Sequence, residues 1–147
     1  MKKNKNIVEV LFKEEKKAYK LNEVPVGVVI VLNDIIIATA HNMREKKKSV
    51  LKHAELIALE KASKKMKTWK LNDCILYTTL FPCPMCAAAI QQSRIKKVIY
   101  VNDTNNNESR LISINILNNI KLNHKVEIEK MNIETDLLKK FFKNLRN

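Results

Sequence analysis

The stretch Pro82-Cys83-Pro84-Met85-Cys86 places two thiols three residues apart, and His53-Ala54-Glu55 places an imidazole and a carboxylate two apart. Two cysteines three apart at the opening of a helix offer two sulfurs on one side of a single turn. Proline is tolerated in a first helical turn and no deeper, so Pro82 and Pro84 suit a strand-to-helix junction. The partial positive charge of a helix N-terminus favours thiolates there. His53 stands ahead of a second helix-like run and is the natural third ligand. One nitrogen and two sulfurs leave a tetrahedral zinc with one open position, the pattern of a catalytic rather than a closed structural site. Cys74 would close the set, but it begins a strand about 25–30 Å from the motif if extended, and it reads as an inert buried thiol. Two thiolates cancel the charge of the ion and leave a water less acidic than neutral ligands would, so a separate base helps. Glu55 is close to the ligand yet free of it. Such a carboxylate can take a proton from an attacking water and return it to a ring nitrogen and a leaving amine. The implied chemistry is hydrolytic attack on an amidine-like carbon with loss of ammonia.

The rest of the chain must hold these groups together. Ile7, Val10, Leu11, Ala18 and Leu21 recur at three- and four-residue spacing, with Glu14 on the same stripe. They predict an amphipathic helix over 6–21, behind a frayed tail at 1–4. Residues 26–32 form a nearly unbroken β-branched run and predict a buried strand. Asn33-Asp34 reads as a two-residue turn, and 35–40 as the returning arm of a hairpin. Gly27, the single glycine, lies inside the first strand, where it marks a close approach of backbone or ligand. The lysine-rich residues 41–52 read as a solvated loop. A helix over about 53–67, a strand over 74–80, a small-residue helix over 85–93 and a strand over 97–101 follow. Residues 102–109 are an asparagine-rich loop, 111–120 has ambiguous periodicity, and 125–129 reads as a final strand. From about residue 133, Ile133, Leu137, Leu138, Phe141, Phe142 and Leu145 fall at helical spacing. A hairpin followed by strand–helix alternation predicts one α/β domain over 1–147, a three-layer α/β/α arrangement with a mixed sheet.

Composition sets bounds. The length of 147 residues and the 46% hydrophobic content suit one globular core. No apolar run approaches the ~20 residues of a membrane span, and no apolar stretch follows the basic N-terminus as in a secretory signal. Three cysteines, two of them closely paired, suit a metal site in a reducing compartment, so the chain reads as cytoplasmic. The net charge of +13 suits a polyanionic partner. It suits equally the codon bias of an AT-rich genome, since 24 lysines stand beside 4 arginines, 17 asparagines and 16 isoleucines.

His-x-Glu with Pro-Cys-x-x-Cys is the signature of the zinc deaminases of bases and nucleosides. Around it, the sequence resembles the tRNA-specific adenosine deaminases of the cytidine deaminase-like superfamily. Glu23-Val24-Pro25-Val26-Gly27, His41-Asn42, Leu76-Tyr77-Thr78-Thr79-Leu80, Ser93-Arg94-Ile95, Asn123-His124-Lys125-Val126-Glu127-Ile128 and Phe141-Phe142-Lys143-Asn144-Leu145-Arg146 carry the resemblance. The zinc motif alone identifies the superfamily; the Asn-His segment and the tail narrow it to tRNA editing. The resemblance implies conversion of the wobble adenosine of a tRNA anticodon to inosine. It implies a homodimer with one zinc per subunit, whose anticodon stem-loop substrate touches both subunits. Glu55 would be catalytic, with His53, Cys83 and Cys86 as metal ligands. Val26, Asn42, Ala54, Leu80 and Pro82 match the family's base and ribose contacts. Asp103 is the residue chosen for substrate contact in the 102–109 loop. Phe142, Lys143 and Arg146 are candidate RNA contacts, and the Phe pair is equally readable as core.

Two positions depart from the family pattern. Phe81 stands where the family has Glu, removing a carboxylate next to the metal motif and adding a ring. Asparagines replace the usual glycines and lysine of the 102–109 loop, and asparagine keeps left-handed conformations and hydrogen-bonding capacity. His41 and His124 read as structural rather than as ligands. Two other readings stay open. One is a deaminase of a free base or nucleoside, of guanine or cytosine type, separated by activity on tRNA against free nucleobases. The other is a catalytically dead zinc protein that only binds RNA, which the intact Glu55 disfavours.

Overall fold

The computed structural model describes residues 2–122 and 124–145. Helix α1, Lys2–Lys20, leads into the hairpin of β1, Gly27–Leu32, and β2, Ile35–His41. Asn33 and Asp34 turn it with φ of 51° and 65°, the left-handed pair that a tight two-residue hairpin requires and that these two residue types tolerate. Then come α2, Arg44–Lys47; α3, Ala54–Met66; β3, Cys74–Leu80; and α4, Pro84–Gln92. The chain continues with β4, Lys97–Asn102; α5, Asn107–Asn118; a 3₁₀ turn, Ile120–Leu122; β5, Glu127–Lys130; and α6, Leu137–Leu145.

One mixed sheet runs in the order β2-β1-β3-β4-β5. β1 is antiparallel to both neighbours, while β3, β4 and β5 are parallel. Side chains alternate across it. Val28 and Ile30 enter the larger core, with Ala58 and Ala62 of α3, Ala87 and Ile90 of α4 and Leu117 of α5. Val29 and Val31 enter the other core, with Ile7 and Leu11 of α1. The result is the expected three-layer α/β/α fold.

Gly27 is a close backbone approach. A Cβ there would lie 2.6 Å from the Glu15 nitrogen and 2.7 Å from the Leu11 carbonyl oxygen, so α1 rests directly on β1.

Several boundaries differ from the sequence reading. Residues 2–4 belong to α1 rather than to a frayed tail. The 41–52 loop contains α2, made possible by a buried carboxylate described below. Asn106 caps α5 by accepting from the Ser109 N–H at 3.0 Å, so the asparagine-rich loop stops sooner than expected. The ambiguous stretch after residue 110 is helical as far as Asn118, and the buried residues of that helix, Ser113 and Leu117, lie four apart on one face. The last helix starts at Leu137, and none of its residues is buried.

Candidate active site

The two motifs meet through two helix starts. His53 is the cap residue of α3 and Cys83 that of α4, both in extended backbone conformation, with φ/ψ of −70°/145° and −70°/167°. Neither side chain makes a capping hydrogen bond to its own helix, as Ser, Thr, Asp or Asn would normally do. Both are thereby free to face a common point. Pro84 opens α4, and one turn on, the third donor, Cys86, returns to the same side.

Cys83 Sγ lies 3.8 Å from His53 Nδ1, and Cys86 Sγ 3.5 Å from it. The three donor atoms fall within 4.8 Å of one another. Tetrahedral zinc with ordinary Zn–N and Zn–S bonds needs sulfur and nitrogen about 3.6 Å apart. Both nitrogen–sulfur distances are close to that spacing, so the donor set is compatible with the ion. A hydrogen bond from Cys86 pulls the Cys83 thiol down to about 4, and Cys86 is pushed up by the same pairing. Metal ligation requires both thiols to be deprotonated. His53 is raised, first by its hydrogen bond to Cys83. Cys74 is buried and its thiol is raised by burial, and it does not join the donor group.

Glu55 is 5% exposed. Burial above all raises its carboxyl to about 7, where one group can both accept and return a proton at neutral pH. It lines a pocket of about 150 Å³ together with His53 and Cys83. Val26, Asn42, Ala54, Leu80 and Pro82 line the same pocket, so five sequence-predicted positions gather beside the donors. Asn42 is braced on both sides of its amide: Nδ2 donates to the Val24 carbonyl at 3.3 Å, and Oδ1 accepts from the Arg44 N–H at 3.2 Å. Pro82 is fixed from behind by the buried Ser113 hydroxyl, which donates to its carbonyl at 2.9 Å.

Asp103, Phe142 and Lys143 are elsewhere. They line an adjoining groove of about 480 Å³ with Asn105, Asn106, Leu138 and Lys139. Leu80 and Thr104 border both spaces. Arg146 lies outside the described residues. His41 Nδ1 is 3.0 Å from Glu14 Oε1, and His124 Nε2 is 2.8 Å from the Ile95 carbonyl oxygen; both belong to the scaffold.

Sequence reading passed over Arg44, and it gave Glu23 no role beyond its place in a segment that carries the resemblance. Arg44 lines the pocket mouth. It is aimed there because Glu23, 1% exposed, accepts the N–H groups of Glu45 and Lys46 at 3.0 and 2.7 Å. That carboxylate holds the first turn of α2. The only signal was an acidic residue ahead of the first strand. Phe81, the departure from the family pattern, is also a pocket wall.

The model of the MafB19-like deaminases matches residues 2–146. A tRNA-specific adenosine deaminase of Aquifex aeolicus is 41% identical over 143 residues, covering 95% of this chain and 94% of the relative. A solved structure from studies of A-to-I editing by tRNA:A34 deaminases at the wobble position is 28% identical, with a TM-score of 0.78, covering 87% of this chain and 98% of that one. The guanine deaminase of Bacillus subtilis is 29% identical at a TM-score of 0.64, covering 97% and 93%. With a deaminase model spanning nearly all of its length, and a relative of that name matched nearly end to end, the chain belongs to the family of tRNA-specific adenosine deaminases.

Proposed function

We propose that this protein hydrolyses adenosine to inosine at the wobble position of a tRNA anticodon, using one zinc ion per subunit. The observation that carries the reading is the buried Glu55 carboxylate in one small pocket with the His53/Cys83/Cys86 donors. When bound, zinc is a Lewis acid that makes water nucleophilic at neutral pH. Glu55 takes one proton from the attacking water and gives it to the purine ring nitrogen, then takes the second from the new hydroxyl and passes it to the amine, which leaves as ammonia. Val26, Ala54, Leu80 and Pro82 enclose the base, and Asn42 meets the nucleotide at the pocket's rim.

A base inside a stacked anticodon loop must be splayed out to enter so small a pocket. The adjoining groove supports a polynucleotide rather than a free base. Leu138 and Phe142 stand one helical turn apart as an apolar platform, with Lys139 and Lys143 beside them. An aromatic surface with a cationic rim is how single strands are held. Asp103 and Arg146 complete the proposed footprint, Asp103 indirectly. The protein acts as one domain and as a homodimer, in the cytoplasm; among the described residues no helix is long and apolar enough to cross a membrane.

Incubation of the purified zinc protein with tRNA transcripts, followed by sequencing for inosine, tests the reading. Inosine confined to the wobble position supports it. The likeness to a guanine deaminase favours one alternative, a deaminase of free bases. Ammonia released from guanine or cytosine, with tRNA left unchanged, would establish that alternative instead.

A further inference from the structure

Asp103 does not face the donors. Its carboxylate is taken up by Arg110, whose Nε lies 2.9 Å from Oδ1 and 3.1 Å from Oδ2. The guanidinium carbon of Arg110 stands 5.3 Å from the centroid of the Phe81 ring. Phe81 in turn stacks on Tyr100, with centroids 4.9 Å apart and planes inclined by 17°. Four side chains thus form one column: Tyr100, Phe81, Arg110, Asp103. Its inner end is rigid, since Phe81 is 3% exposed and Tyr100 is 5% exposed. Its outer end is the loop after β4.

That loop separates the metal pocket from the groove. Thr104 borders both spaces, and its N–H donates to Asp103 Oδ1 at 2.9 Å. The carboxylate that Arg110 holds is therefore the same one that fixes the backbone at Thr104. Thr104 and Leu80 are the two residues that border both the groove and the pocket.

We propose that Arg110 is a positioning residue that latches the Asp103–Thr104 segment onto Phe81 and so fixes the passage between the groove and the metal pocket. The inference rests on the tRNA reading given above. Arg110 does two things there. It pre-orders the loop, so that RNA does not have to immobilise it. It also neutralises Asp103, which would otherwise present a bare carboxylate to a phosphate backbone. Neither effect touches the proton traffic at Glu55, so the latch acts on substrate binding and not on the chemical step. Phe81 matters to the latch because its face holds the guanidinium; the glutamate usual in the family offers no ring for stacking.

Steady-state deamination of an anticodon stem-loop RNA tests this with the full zinc-loaded chain. Arg110→Ala raises KM about five- to tenfold, the combined scale of an exposed cation–π contact and an exposed ion pair, and leaves kcat unchanged. Arg110→Lys keeps the charge for Asp103 but not the plane for Phe81, so it recovers part of the loss. Asp103→Asn, a near-isostere that also serves if Arg110→Ala fails to fold, raises KM as well. The double variant is no worse than the poorer single one, because both break the same link. An unchanged KM in folded Arg110→Ala, a fall in kcat at constant KM, or additive effects in the double variant would overturn the latch. A parent enzyme inert on the RNA overturns the tRNA reading, and this inference with it; an active parent with an indifferent Arg110→Ala overturns the latch alone.

Discussion

Glu55 occupies the second position of α3, two residues past the capping His53. The helix geometry that places the ligand therefore places the carboxylate too, without asking it to bind metal. Glu55→Ala should retain one zinc per chain and the parent melting behaviour, because the three donors are untouched. Single-turnover inosine formation should fall by about 10²–10⁴, the range for a positioned acid–base group. A zinc-loaded variant within about tenfold of the parent would assign the proton traffic to another residue. The donors make a second, independent test. Cys86→Ala should lose stoichiometric metal by elemental analysis, whereas Cys74→Ala, buried in the main core, should keep it. Zinc retained by the Cys86 variant would rule out this ligand set. These residues were legible in the sequence because their chemistry is local: a cysteine pair one turn apart and a His-x-Glu pair each need only one helix start. Asp103 was legible as a loop carboxylate but not in its role, since Arg110, its partner, is on the following helix and only the folded chain brings the two together.

At the level of elements, α1 decides much of the architecture. It rests on β1 at the one residue without a side chain. Gly27→Ala would drive a methyl group to 2.7 Å from the Leu11 carbonyl oxygen and 2.9 Å from Glu14 Cβ. The helix must then lift, at a cost of about 1–3 kcal/mol, visible as a lower denaturant midpoint with unchanged slope. A change below about 0.5 kcal/mol would show that α1 is free to move. The same helix carries Glu15, 1% exposed, whose carboxylate accepts from the Thr135 hydroxyl at 2.7 Å. Burial outweighs that bond and raises its pKa. The folded protein then holds this proton to higher pH than the unfolded chain does. The neutral acid favours the fold below the ordinary carboxylate range, and this contribution is lost as pH rises through the raised value. Glu15→Gln, which does not titrate, should gain stability relative to the parent as pH rises from the ordinary carboxylate range through the raised one. Parallel stability–pH curves for the two proteins would refute it. Helix and strand periodicity disclosed α1, the hairpin and the α3–β3–α4 unit. It did not disclose α2, a four-residue helix held by Glu23 from across the chain, nor the late start of α6, because both depend on tertiary hydrogen bonds rather than on local pattern.

For the molecule as a whole, the net charge of +13 had two explanations in the sequence. The structure gives part of that charge an address. Lys139 and Lys143 border the groove that adjoins the metal pocket, whereas Lys97 is spent on Glu129 at 2.6 Å and Lys17 on Glu14 at 2.7 Å. If the groove takes single-stranded RNA, its affinity should fall linearly with the logarithm of salt. Replacing Lys139 and Lys143 together by Gln should make that slope shallower, by about 0.7 for each phosphate the variant no longer neutralises. An identical slope would remove α6 from the footprint.

The order of elements along the chain also has a meaning in time. All three metal donors and Glu55 lie at or before Cys86, together with the hairpin and β3 that complete the antiparallel half of the sheet. Thr104, Ser109, Arg110 with its partner Asp103, and α6 come after. Since a ribosome delivers the N-terminal part first, the nascent chain presents its thiols and most of the pocket wall to the cell's metal supply before it has the α6 side of the groove. The pocket for one base is synthesised ahead of the groove for the strand that carries it.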